Sequence, residues 1–132
     1  MLEDLLAVMR RIHPRATFVL EGPEAHVAVE KADLEEMLGA LLDNAGKWAT
    51  RSVCTKIVPS ARQVTIAIED DGPGLEDVEA ARARGVSLDR RRAGSGLGLA
   101  IVDEIAALYG ATLRLGRSAA GGLAAELDLP AA

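Results

Sequence analysis

The stretch LLDNAGKW, residues 41–48, sets an amide, a cation and the only tryptophan of the chain within an apolar run. On a helix that turns about 100° per residue, Asn44, Lys47 and Arg51 lie along one edge, with Trp48 at the border of the apolar face. The amide oxygen could coordinate Mg²⁺, which takes few protein ligands beside substrate phosphates. Lys47 could meet phosphate, and Trp48 could pack on a flat ligand. A solvated flank, with Trp48 covering the rim of the core, is the simpler interpretation of this helix taken alone.

The stretch EDDGPGL, residues 69–75, follows an alternating strand in which Val64, Ile66 and Ile68 share one face. An ionised aspartate accepts hydrogen bonds and cannot donate them, so it suits an exocyclic amine such as that of adenine. A base without that amine would leave the acid unpaired, at a cost of about 1–3 kcal/mol. The Gly-Pro-Gly that follows lets the backbone approach a ligand closely. An ordinary acidic turn explains the motif equally well on its own.

The stretch GSGLGLAIV, residues 94–102, is a glycine-rich entry into a helix. Free backbone N–H groups and the helix dipole favour phosphate at such a position. The pattern differs from the dinucleotide fingerprint because an arginine-rich loop, and no strand, precedes it. A flexible helix start without a ligand is the alternative.

The remaining periodicities predict a chain of strands and helices that must position these three stretches. We expect Asp33 to cap the second helix, Gly110 to end the third, and residues 70–94 to form a long loop of the kind that often acts as a lid. The order predicts an α+β fold, a two-layer α/β sandwich with a mixed sheet carrying helices on one face. The predicted helices cover 2–12, 34–51 and 96–109, and the predicted strands cover 16–21, 25–30, 53–58, 63–69, 111–117 and 123–129.

Length and composition exclude several classes of protein. The 132 residues predict one domain, large enough to fold without disulfides or a structural metal. The net charge of −5 argues against a nucleic-acid partner. With no apolar run of about 18 residues, we expect no membrane span and no direct membrane contact. The single cysteine, Cys54, is typical of a reducing compartment.

Taken together and in this order, the three stretches resemble the N, G1 and G2 boxes of the catalytic ATP-binding domain of bacterial sensor histidine kinases. That domain belongs to the GHKL superfamily, which includes gyrase, Hsp90 and MutL. The resemblance covers nearly the whole chain, and it implies a Bergerat-type sandwich with about three helices. It also implies ATP and Mg²⁺ as the cofactors.

For the N box, the resemblance implies that Asn44 coordinates the Mg²⁺ that bridges the phosphates. Lys47 matches the basic position that faces phosphate, and Trp48 takes the place of the aromatic residue that packs on adenine. One departure is Ala40, where many members have an additional asparagine. In the gyrase and MutL branch this position holds a glutamate that acts as general base, so we expect no hydrolysis of ATP by that route.

For the G1 box, the resemblance implies that Asp70 binds the adenine amine while Gly72 and Gly74, followed by Leu75, shape the pocket. The lid resembles that of a PhoQ-like subgroup, although no phenylalanine lies between residues 70 and 98. The lid and G2 box add further expected nucleotide contacts, namely Arg84, Arg92, Gly94, Ser95, Gly96, Leu97 and Gly98.

The resemblance implies a domain that binds Mg-ATP and presents the γ-phosphate for autophosphorylation of a histidine in two-component signal transduction. That histidine lies on a separate dimerisation domain of the same kinase, because neither His13 nor His26 fits the role. A response regulator receiver domain is the implied downstream partner. The implied location is cytoplasmic, in a parent protein anchored in the inner membrane. Residues 1–132 would form the catalytic domain, with residues 1–14 leading in from the dimerisation domain.

Two other classes of function stay open. A serine kinase of the anti-sigma type shares the superfamily motifs. A nucleotide-binding pseudokinase module is motivated by Ala40, and it would bind nucleotide without phosphorylating a histidine. A purely structural role is the third alternative, and it predicts no nucleotide binding.

Overall fold

Five strands and three helices make up the part of the chain that the structure, a computed structural model, describes: residues 1–73 and 97–132. These elements confirm the predicted two-layer sandwich with a mixed sheet. The helices are α1 (Leu2–Ile12), α2 (Lys31–Trp48) and α3 (Leu97–Leu108), and the strands are β1 (Thr17–Glu21), β2 (Ser52–Pro59), β3 (Gln63–Asp70), β4 (Thr112–Arg117) and β5 (Leu123–Pro130).

The strands are ordered β1-β2-β3-β5-β4 across the sheet. β1 runs parallel to β2, and each remaining neighbouring pair is antiparallel. Alternation along β3 buries Val64, Ile66 and Ile68, as the sequence predicts. The opposite face carries polar contacts, and there the Thr65 hydroxyl donates to Asp128 at 2.6 Å. The apolar core therefore lies between one face of the sheet and the helices.

The apolar stripe predicted for α2 is confirmed. Four of its six residues are buried and the other two pack against the same core from its margin. Helix α1 adds Leu6 and Met9 to this core. The six stripe residues are Leu34, Leu38, Leu41, Leu42, Ala45 and Ala49. Burial of this stripe sets the rotation of α2 about its axis, and so the direction of the edge that carries the first motif.

The strand predicted over residues 25–30 is wrong. Among the described strands this segment makes one isolated bridge, between Val27 and Ala131, and the Ala28 N–H donates to the Pro130 carbonyl at 2.8 Å. The chain leaves β1 at Gly22, which has a φ of 104°. A Cβ there would lie 2.3 Å from the Ile57 carbonyl oxygen, so the backbone passes close to β2 at this point. Because the chain does not turn back beside β1, residues 25–30 have no neighbouring strand to pair with along their length.

The predicted bounds of the second helix are shifted by three residues at both ends. The N-cap is Glu30, without a side-chain hydrogen bond, while the Asp33 carboxylate accepts a hydrogen bond from the hydroxyl of Tyr109, the residue that follows α3. At the other end Ala49 adopts extended backbone, so the helix stops at Trp48 and Arg51 lies beyond it. Arg51 therefore does not continue the edge that carries Asn44.

A buried hydroxyl on β2 leads to a stability prediction. Thr55 is fully buried, and its Oγ1 has no hydrogen-bond partner among the described residues. We expect Thr55→Val to raise the free energy of unfolding by about 1 kcal/mol, because it replaces an unsatisfied hydroxyl with a methyl of the same shape. Thr65→Val is the matched control, since it removes the hydroxyl that donates to Asp128 and should lower stability. Urea unfolding measures both, and a less stable Thr55→Val would contradict the prediction.

Candidate functional site

The end of helix α2 and the end of strand β3 lie against each other. A Cβ placed on Gly72 would lie 2.2 Å from the Trp48 carbonyl oxygen, so only glycine permits this approach. The Asp71 carboxylate accepts the backbone N–H groups of Thr50 at 2.8 Å and Ser52 at 3.1 Å. The structure thus brings the first two motifs together, although about 20 residues separate them in the sequence.

Asn44 lies in the last two turns of α2 and is 5% exposed. Its Oδ1 atom has no hydrogen-bond partner among the described residues. A buried amide oxygen without a hydrogen-bond partner lowers the stability of the fold by about 1–3 kcal/mol. Such an atom is accounted for when a ligand or an ion binds to it. An amide oxygen is also a suitable ligand for Mg²⁺. This side chain therefore fits the ion that the sequence assigned to it.

Lys47 and Trp48 lie one turn beyond Asn44 on the same side of α2. Lys47 is exposed and Trp48 is partly buried. One turn before Asn44, Ala40 packs against the core and adds no polar group to this edge. The edge therefore carries one amide, one cation and one indole. It lacks the second amide, and it also lacks Arg51, the second cation that the sequence predicted on it.

Asp70 is the last residue of β3 and is 2% exposed. Its Oδ1 accepts the backbone N–H groups of Gly72 at 2.9 Å and Leu123 at 3.2 Å. Its backbone carbonyl accepts the hydroxyl of Ser118 at 2.7 Å. The carboxylate is therefore held in one orientation from two sides, by its own turn and by the turn between β4 and β5.

Ser118 and Gly122 belong to the site, and the sequence analysis did not identify either role. Ser118 is buried, and its hydroxyl accepts the Gly122 N–H at 2.9 Å while it donates to Asp70. A Cβ on Gly122 would lie 2.3 Å from the Asp70 carbonyl oxygen and 2.4 Å from Oδ1. The Gly121-Gly122 pair indicated only a hairpin turn, and φ is positive at Gly121 alone. The glycine at 122 is required for its contact with Asp70.

The contact between Gly122 and Asp70 gives a prediction with an internal control. We expect Gly122→Ala to lower the free energy of unfolding by about 1–3 kcal/mol and to weaken nucleotide binding, because the new methyl must push Asp70 aside. Gly116→Ala, in the same hairpin, meets no heavy atom within 4 Å and should leave both quantities nearly unchanged. Thermal unfolding and calorimetric titration measure the two effects. Equal behaviour of the two variants would contradict the assigned role of Gly122.

The third motif falls mostly outside the described residues. Leu97 and Gly98 are the first two residues of α3, so the helix starts within the glycine motif, as predicted. Gly110, with φ of 65°, follows the end of this helix, also as predicted. The predicted contacts Gly74, Leu75, Arg84, Arg92, Gly94, Ser95 and Gly96 lie outside the residues that the structure describes.

The two histidines lie in different surroundings, and His13 packs beside the last turn of α2, where a Cβ on Gly46 would lie 2.6 Å from its ring. The His13 Nε2 lies 2.7 Å from the Asp43 carboxylate, which points away from the Asn44 edge of the helix. His26 is exposed in the segment after β1. None of the helices in residues 1–73 and 97–132 has the length and apolar character needed to cross a membrane.

Comparison with known proteins identifies the family. The model of the histidine kinase-, DNA gyrase B- and HSP90-like ATPases matches residues 29–132. The sensor protein kinase CarS of Pseudomonas aeruginosa is 40% identical over 133 residues, which cover 98% of this chain and 30% of CarS. The sensor protein PhoQ of Escherichia coli K12 is 31% identical over 132 residues, 96% of this chain and 27% of PhoQ. The chain therefore spans less than a third of these relatives.

Solved structures agree with this result. The mycobacterial sensor histidine kinase MprB superposes with a TM-score of 0.82 at 26% identity, covering 98% of this chain and 92% of that one. The ATP-binding domain of PrrB from Mycobacterium tuberculosis gives 0.78 at 29% identity, covering 99% and 94%. This chain accordingly belongs to the histidine kinase-, DNA gyrase B- and HSP90-like ATPase family, as a catalytic ATP-binding domain of the sensor histidine kinase type.

Proposed function

We propose that this domain binds Mg-ATP and presents the γ-phosphate to a histidine on a separate dimerisation domain. The buried Oδ1 of Asn44, which has no hydrogen-bond partner among the described residues, carries the proposal together with the fixed carboxylate of Asp70. One group suits a metal-bound phosphate chain and the other suits an adenine amine, so a single ATP molecule can satisfy both. Two structural relatives support it, the ATP-binding domain of PrrB and full-length ShkA in complex with AMPPNP.

Each site residue has a distinct task in this proposal. Asn44 would hold Mg²⁺, which would supply charge neutralisation at the phosphates. Lys47 adds positive charge at the phosphates, and Trp48 packs against the adenine ring. Asp70 accepts a hydrogen bond from the adenine amine, with Gly72 allowing close approach. The predicted lid residues complete the phosphate contacts from the segment between β3 and α3.

The domain orients the γ-phosphate and does not activate water. Ala40 cannot act as a base, and the nearby Asp43 faces His13, whose Nε2 lies 2.7 Å from its carboxylate. Transfer then depends on positioning and charge neutralisation, which suffice for phosphoryl transfer to an external nucleophile. We expect little turnover by the isolated domain.

The partners follow from this chemistry. The nucleophile is the histidine of a dimerisation domain in the same kinase, and residues 1–14 lead from that domain into this one. A response regulator receiver domain then accepts the phosphoryl group. The domain works in the cytoplasm, where ATP is available, and its parent protein is anchored in the inner membrane.

A nucleotide-binding pseudokinase is the second candidate, and Ala40 is the observation that favours it. Ala40 removes one amide from the edge that would hold Mg²⁺. A site that binds nucleotide with little metal dependence would regulate its partner by occupancy and would transfer no phosphoryl group.

A calorimetric titration with a non-hydrolysable ATP analogue, with and without Mg²⁺, tests the proposal. We expect saturable binding that Mg²⁺ strengthens. In a separate assay with ATP, we expect the domain to phosphorylate a dimerisation-domain fragment. Binding without a metal effect and without phosphorylation of the fragment would favour the pseudokinase. Absence of heat, and of competition by ADP, would overturn nucleotide binding altogether.

A further inference from the structure

Asp71 stands beside the adenine-binding Asp70 in the sequence, but its side chain faces the end of α2. Its Oδ1 accepts the backbone N–H groups of Thr50 at 2.8 Å, Arg51 at 3.0 Å and Ser52 at 3.1 Å. Its Oδ2 lies 3.1 Å from the Arg51 nitrogen. One carboxylate therefore binds three consecutive backbone donors in the segment between α2 and β2.

This segment determines where α2 ends. Ala49 adopts extended backbone, and the N–H groups of residues 50–52 turn toward Asp71 instead of continuing the helix. The Arg51 carbonyl accepts the Thr17 N–H at 2.8 Å, so the same segment is also tied to β1. The last helical turn, which carries Trp48, thus has a fixed position relative to the turn after β3.

The carboxylate is ionised under ordinary conditions. Desolvation raises the pKa of Asp71, but the hydrogen bonds from the Arg51, Ser52 and Thr50 N–H groups together outweigh it and hold the pKa below its usual range. Backbone N–H groups are better satisfied by a charged acceptor than by a neutral one. The Trp48 carbonyl meanwhile lies against Gly72, so the two elements contact each other at Gly72 as well as at Asp71.

We propose that Asp71 is a positioning residue for nucleotide binding, which fixes the metal and phosphate edge of α2 relative to the adenine-binding end of β3. Asp71 touches neither nucleotide nor metal in this role. It acts through the backbone of residues 50–52 on Trp48, Lys47 and Asn44. A ligand that spans both elements depends on their relative position, whereas a ligand held at one element does not.

This inference rests on the proposed function, and the test separates the two. Asp71→Ala removes the acceptor, while Asp71→Asn keeps an amide oxygen at the position that receives all three N–H groups. We expect Asp71→Ala to weaken binding of the Mg-bound ATP analogue by about tenfold or more, and adenosine binding by much less. Asp71→Asn should recover most of the affinity. Failure of the unaltered chain to bind the analogue would refute the proposed function itself.

The fluorescence of the single tryptophan reports the same geometry without ligand. We expect the Trp48 emission of Asp71→Ala to shift to longer wavelength as the end of α2 loosens, and that of Asp71→Asn to match the unaltered chain. Wild-type analogue affinity in a folded Asp71→Ala, or equal losses for analogue and adenosine, would overturn the inference.

A measurement on the unaltered chain keeps the test valid if Asp71→Ala does not fold. In an NMR titration toward low pH, the amide protons of Thr50, Arg51 and Ser52 should shift together as Asp71 takes up its proton. The midpoint should fall below the usual carboxyl range, because the folded state favours the ionised form. Amide protons that do not respond to this titration would show that the carboxylate does not hold the segment.

Discussion

Asn44→Ala is expected to remove the metal dependence of nucleotide binding while leaving the fold intact. The buried Oδ1 has no hydrogen-bond partner among the described residues, so the amide contributes little to the stability of the protein without ligand. Removing it eliminates an unsatisfied polar atom and leaves a small cavity, two changes of opposite sign. We expect the free energy of unfolding to change by less than about 1 kcal/mol. The affinity for the Mg-bound analogue should fall at least about tenfold, or 1.4 kcal/mol.

Calorimetry with and without Mg²⁺ measures this effect as a ratio of two affinities. Glu36→Ala is the matched control, because Glu36 is exposed on the same helix two turns earlier. The control should keep the Mg²⁺ enhancement of the unaltered chain. An enhancement that persists in Asn44→Ala would show that another group holds the ion, and a large loss of stability would show that the amide is structural.

Asp70→Asn is expected to abolish the preference for ATP over GTP. The Oδ1 atom can still accept the N–H groups of Gly72 and Leu123, so the turn after β3 keeps its shape. The new Nδ2 group donates, and it would face the adenine amine, which also donates. A hydrogen bond to a charged group contributes about 1.5–3 kcal/mol, so ATP affinity should fall roughly 10- to 100-fold. GTP presents a carbonyl oxygen at this position and should lose less.

Competition between the two nucleotides measures this selectivity. Asp128→Asn is the control, since Asp128 is a carboxylate on the polar face of the sheet, bound to Arg114 at 2.8 Å. Losing that ion pair should affect stability and leave nucleotide selectivity unchanged. An unchanged ATP preference in Asp70→Asn would mean that another group binds the adenine amine.

Local patterns in the sequence predicted most of the architecture because burial imposes them directly. The period of α2 identified its apolar stripe, since a helix with one buried side must repeat its apolar residues every three or four positions. The alternation along β3 identified its buried face in the same way. Residues 25–30 alternate as well, but their pairing depends on where the chain travels after Gly22, which no local pattern records.

In the candidate site, too, some features could be predicted from local sequence and others depend on tertiary packing. Residue types and spacing selected Asn44, Lys47 and Trp48 on one helix edge and the acidic glycine turn after β3, and the resemblance of the three motifs to the kinase family supplied the ligand class. Only the tertiary structure decided that Asp70 is oriented by Ser118 and Gly122, and that Asp71 binds the end of α2. These contacts join residues 20 to more than 50 positions apart, and each depends on a distance of a few ångströms between backbones. Periodicity describes which side of an element is buried, but close approach between elements is set by their packing.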